Sequence, residues 1–233
     1  MSVEKLSITI NGIMVLEPMV TFTDLIVSAT CFYAFYKLRK KNKQGKMYFH
    51  FEWHFLTMGV ATIFGGLLGH GFTYAVDDAW KLPGWLISMI SISFMERAFI
   101  AHTVQIVSKR TRFWFKTANN VELLIFMGLT VYSLNFHFVE FHSGFGILAV
   151  VFPLQLYMFV KTKDPGSSYI FVVVALSIFS AFIFLNKISI HKWFNYMALS
   201  HILIAVMVFY LYKAALSLRY EQNFSKKDQS LSQ

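Results

Sequence analysis

Apolar residues dominate long stretches of the chain, and polar residues gather between those stretches rather than alternating with them. A hydrocarbon core about 30 Å thick takes roughly 20 residues of helix to cross. Runs of that length, bounded by charge or by Gly, Pro and Asn, predict helices over residues 17–36, 51–76, 82–107, 118–137, 141–160, 168–185 and 193–216. The links between them are short. The pattern therefore predicts an all-α, polytopic membrane protein, a seven-transmembrane-helix bundle formed by residues 1–220, with a polar tail over 221–233.

Composition agrees with that reading. The 233 residues are 56% hydrophobic and 14% charged, too few polar groups to cover a soluble surface. The lone Cys31 sits inside an apolar run, which removes a disulfide scaffold from consideration. A net charge of +9 does not point to nucleic acid, because the basic residues cluster at span ends. Sixteen Lys and Arg residues lie after the first, third, fifth and seventh spans, and only Lys5, Lys81, Lys187 and Lys192 lie in the opposite regions. The positive-inside rule then sets the N-terminus outside and the C-terminus, with its tail, in the cytoplasm. The first segment carries Glu17 and Asp24 and lacks both a basic n-region and an A-x-A-like cleavage site, so it is expected to stay as the first helix rather than leave as a signal peptide.

Ionisable residues inside the spans are costly in hydrocarbon and so mark candidate sites. Glu17, Thr21, Asp24 and Ser28 recur at spacings that place them on one face of the first helix. His70 lies near the outer end of the second helix after Gly65, Gly66 and Gly69, and His201 lies about 12 Å below the outer entry of the seventh at Trp193. Asp24, His70 and His201 thus fall at similar depth on three helices. Asp77, Asp78, His137, Glu140, His142, His191 and Asn195 populate the outer mouth, where His137, His142 and His191 read as interfacial residues. Imidazole with carboxylate is a zinc-type donor set, and catalytic zinc keeps three protein ligands and one open position. His70 and His201 are the candidate metal ligands, Asp24 and Asp78 the candidate catalytic carboxylates, and Glu17, His191 and Asn195 supporting or alternative ligands. Nearer the cytoplasm, Arg97 with Glu96 or Glu122 predicts an ion-pair network that locks the third helix to the fourth. G-x-x-x-x-G-K-S/T, H-E-x-x-H and G-x-S-x-G are all absent, so no soluble nucleotide is an expected partner and the common zinc-protease and serine-hydrolase signatures are missing.

The order of these residues resembles the seven-transmembrane superfamily of alkaline ceramidases, progestin and adiponectin receptors and hemolysin III proteins. Its S-x-x-x-H late in helix two is matched by the segment Gly66 to His70, its Asp near helix three by Asp77 or Asp78, and its H-x-x-x-H early in helix seven by Met197 to His201. Gly66 stands where the superfamily has serine, and Met197 where it has a histidine. Asp24 or His191 would then complete the ligand set. The resemblance implies a distant bacterial branch, set in the inner (cell) membrane, with zinc as cofactor, membrane lipids as partners, and hydrolysis of a lipid amide or ester in the outer half of the bundle. A non-catalytic lipid-binding or receptor-like protein and a proton-coupled transporter are the alternative classes.

Overall fold

The computed structural model describes residues 6–219; the tail over 221–233 lies outside them. The chain opens with an antiparallel hairpin, β1 (Ser7–Ile10) and β2 (Ile13–Leu16), with Ile10 opposite Ile13. Asn11 and Gly12 form its turn at φ 49° and 79°, the positive values that a two-residue hairpin turn demands. Tyr74 ties the hairpin down by donating its hydroxyl to the Met14 carbonyl at 2.8 Å. The lengths of the apolar runs predict no strand here, although Asn-Gly between two apolar runs is a hairpin signal.

The rest is helical: α1 (Pro18–Lys40), α2 (Lys46–Phe64) prolonged by a π-helical segment Gly65–Gly71, α3 (Leu82–His102), α4 (Lys109–Ser133), α5 (His137–Phe145) joined through a second π-helical segment Gly146–Val151 to α6 (Phe152–Thr162), α7 (Gly166–Leu185) and α8 (Tyr196–Ser217). Among the described residues, six helical stretches are long and apolar enough to cross a membrane: Pro18–Lys40, Lys46–Gly71, Asp78–Gln105, His137–Thr162, Gly166–Leu185 and Tyr196–Ser217. The expected fourth span, 118–137, differs. It overlaps α4 over 118–133 only: that helix begins nine residues earlier at Lys109, ends at Ser133, and is less apolar because Lys109, Arg110, Arg112, Lys116, Asn119, Asn120 and Glu122 belong to it. The architecture is a helical membrane bundle.

Its core is drawn from α1, α2, α3, α7 and α8, with Val27, Cys31, Phe51, Phe55, Phe99, Ile170, Val208 and Ala214 among the buried residues. Phe51 meets Phe99 edge to face at 5.2 Å between ring centres, a favoured aromatic geometry. Helix α4 lies at the periphery; Leu124, Ile125 and Val131 are exposed, a face suited to lipid.

Short connections bring the helix ends into two groups. At the basic end, Lys43 between α1 and α2 donates to the Leu216 carbonyl at 2.8 Å, and Asp164 between α6 and α7 accepts from the Arg219 amide at 2.9 Å. At the hairpin end, α1 starts, α2 finishes and α8 starts.

Candidate metal centre

Three helices deliver the centre at the hairpin end. Helix α1 begins at Pro18, whose fixed φ suits the first turn, after Glu17 in a left-handed conformation at φ 43°. Thr21, Asp24 and Ser28 are all buried, as the shared face predicts. On α2, the glycine-rich segment GGLLGHG departs from α-helical winding into a π-helix, where Phe72 N–H reaches back five residues to the Leu67 carbonyl at 2.7 Å. Gly66 is where α1 and α2 nearly touch: a Cβ there would stand 3.0 Å from Asp24 Cβ and 3.2 Å from the Thr21 carbonyl. A serine at this position would crowd Asp24. On α8, Asn195 caps the helix by accepting from the Met197 and Ala198 amides, each at 3.1 Å, and His201 follows in the second turn.

Asp24, His70 and His201 converge, offering one ligand atom each within 4.8 Å of one another. Asp24 Oδ1 is 3.5 Å from His201 Nδ1, and Asp24 Oδ2 is 3.9 Å from His70 Nε2. The two imidazole rings are 5.9 Å apart at their centres. His70 Nδ1 faces Glu17 Oε2 at 3.2 Å. If that nitrogen donates to the carboxylate, the Nε2 lone pair is left facing Asp24, the arrangement by which outlying carboxylates orient metal-binding histidines. Thr23 Oγ1 lies 3.3 Å from His201 Nδ1 and 2.9 Å from both the Met19 and Val20 carbonyls, so its single proton can satisfy a carbonyl and leave the imidazole nitrogen free.

Two imidazole nitrogens and one carboxylate oxygen fit zinc in kind. Bonds of about 2.0–2.2 Å require tetrahedral ligand atoms roughly 3.4 Å apart, so atoms as much as 4.8 Å apart would have to close by up to about 1.4 Å.

The other expected site residues are placed differently. Asp78 is 81% exposed at its side chain and pairs with Lys81, because it sits on a short 3-10 turn at the bundle surface; it stands apart from the cluster. His191 is exposed and receives the Trp193 amide at Nδ1, 3.3 Å away, in the loop before α8. Asn195 spends its side-chain oxygen on the α8 cap. Arg97 makes no ion pair with Glu96 or Glu122 among the described residues. Its guanidinium donates instead to the side-chain oxygens of Asn119, at 2.9 Å, and Asn120, and Asn119 in turn donates its amide nitrogen to Glu96. Glu122 is taken by His142 at 2.7 Å. His142 is itself fully buried rather than interfacial, since α5 packs against α3 and α4 from its first turns.

Comparison with known proteins adds a family but no activity. Residues 19–220 match the family of unknown function DUF6962, and the chain belongs to it. No curated protein matches the chain.

Proposed function

We propose that this DUF6962 protein is a multi-pass membrane enzyme that binds zinc through Asp24, His70 and His201 and hydrolyses an amide or ester bond of a lipid. The observation that carries the reading is the meeting of those three groups, from α1, α2 and α8, within 4.8 Å. The motif resemblance to alkaline ceramidases supplies the substrate class. The proposed orientation, N-terminus outside and C-terminus cytoplasmic, puts the site toward the outer leaflet and rests on the sorting of Lys and Arg.

Zinc at such a site acts as a Lewis acid and brings the pKa of a bound water down to about 7. The chain's own residues would do the positioning. Glu17 holds the His70 ring, and Thr23 stands against His201. Asp24, whose two oxygens face different imidazoles, can bind with one and take up a proton with the other. His70 and His201 keep 20% and 17% side-chain exposure, the sides from which a substrate carbonyl would have to approach.

Metal analysis of protein purified in detergent tests the reading. Zinc near one equivalent per chain at this centre, lost in His70→Ala and in His201→Ala with helicity kept, is the expected result, together with zinc-dependent release of fatty acid from amide or ester lipids. Zinc content unaffected by both substitutions would refute the site. Zinc bound there without hydrolysis of either lipid class would refute the enzyme and favour the lipid-binding reading.

A further inference from the structure

A second group of metal-type donors lies where α3, α4 and α5 meet. Glu96, Glu122 and His142 each offer a ligand atom within 4.8 Å of the others. Glu96 and His142 are 0% exposed. Two carboxylate oxygens of this group, Glu96 Oε1 and Glu122 Oε2, are buried with no hydrogen-bond partner. A buried acceptor without a donor costs about 1–3 kcal/mol, more when charged, so two in one cluster call for a positive ligand.

The surroundings are arranged as those of a binding site. His142 Nε2 lies 2.9 Å from the Met89 carbonyl, which can only accept, so this nitrogen carries a proton. The Nδ1 atom is thereby turned toward the acids, 2.7 Å from Glu122 Oε1. A histidine whose outer nitrogen donates to a backbone carbonyl is oriented as metal ligands usually are. Asn119 does the same for Glu96. Its side-chain oxygen accepts from Ser93 at 2.8 Å and from Arg97 at 2.9 Å, which forces its amide nitrogen toward Glu96 Oε2 at 2.9 Å. The free Glu96 Oε1 then points at Gly146, in the π-helical segment between α5 and α6, where a Cβ would come within 2.5 Å of it. An open, mostly apolar groove of about 390 Å³ between α4, α5 and the second π-helical segment reaches Glu96, Asn119 and Glu122.

We propose that Glu96, Glu122 and His142 bind a divalent first-row transition-metal ion, separate from the ion at the hairpin end. Two carboxylate oxygens and one imidazole nitrogen favour this class over Mg²⁺ or Ca²⁺, which prefer oxygen alone. Metal entry would release to solvent the proton held between His142 Nδ1 and Glu122 Oε1 and would give the unpartnered carboxylate oxygens a cationic neighbour.

Mn²⁺ is the probe. Chelator-stripped protein carrying His70→Ala and His201→Ala, which lacks both hairpin-end imidazoles, is expected to bind close to one Mn²⁺ per chain by electron paramagnetic resonance and to melt at higher temperature when Mn²⁺ is added. Adding Glu96→Gln to that background should weaken binding at least tenfold. Absence of Mn²⁺ binding by the folded double variant would overturn the proposal and leave a carboxylate pair that shares protons only. If the double variant does not fold, Glu96→Gln and Glu122→Gln in the otherwise native chain must each lose one ion per chain; an unchanged stoichiometry in both overturns it equally.

Discussion

Individual side chains do different work here according to what they face. Glu17 lies against His70 and orients that ring, and removal of such an outlying carboxylate typically costs 10–100-fold in metal affinity. Glu17→Gln should therefore weaken zinc binding by about that factor while His70 remains in place, a result that competition with a calibrated chelator would measure. At the basic end, buried Asp164 accepts from the Gly166 amide at 2.8 Å, the Arg219 amide at 2.9 Å and His102 Nε2 at 3.2 Å. Burial by itself would push its carboxyl pKa up, but these hydrogen bonds outweigh it and hold the value below that of an ordinary aspartate. A group with a depressed folded-state pKa contributes stability in full above its unfolded value, about 3.9, and loses it as the pH falls through the lower folded value. Asp164→Asn should thus lower the melting temperature at pH 7 and narrow its gap to the native protein at the acid end of that window, as melting curves across pH would show.

At the scale of helices, the glycine-rich π-segment is what lets α2 serve the centre. The predicted helix over 51–76 contains the right residues, but ordinary α-helical spacing does not foretell how closely Gly66 admits Asp24. Gly66→Ser should cost roughly 1–3 kcal/mol, the usual penalty of overpacking, and should lower zinc occupancy more than Gly69→Ser, since a Cβ at Gly69 meets nothing within 4 Å. Thermal melts paired with metal analysis separate the two effects. The α8 cap gives a control: Asn195→Ala should cost about 1 kcal/mol through the lost amide bonds. It should leave the ligand side chains unchanged. Helix α4 shows the opposite relation between pattern and structure. Its basic first turns are helical although they are too polar for the predicted span, because Ser108 caps them by accepting from the Thr111 amide at 3.1 Å and Arg112 returns to the Val104 and Val107 carbonyls.

For the molecule as a whole, orientation is the prediction with the widest consequences. Cys substitutions at Asp78 and Lys43 should be labelled from opposite sides of the membrane, with Asp78→Cys reacting in intact cells and Lys43→Cys protected. The reverse pattern would move the proposed zinc site to the cytoplasmic half. The helical membrane class was legible from the length of the apolar runs, because a bilayer imposes a minimum length on any crossing helix and penalises unpaired polar backbone. So was the shared depth of Asp24, His70 and His201, because rise per residue converts sequence position into distance from a helix end. Depth says nothing about azimuth. Which faces turn toward one another is set by how α1, α2 and α8 pack, and the tertiary structure alone brought those three side chains within 4.8 Å of one another while leaving Asp78 and His191 at the surface. The same holds for the second cluster. His142 sits near a helix start and reads as interfacial in one dimension, but the packing of α5 against α3 and α4 buries it between Glu122 and the Met89 carbonyl. Arg97 lies between two acids in sequence, and the packing inserted Asn119 between it and Glu96. Sequence determined the solvent of each segment and the depth of each polar group, since both depend on local composition and length; side-chain partnership was decided only when helices distant in sequence met.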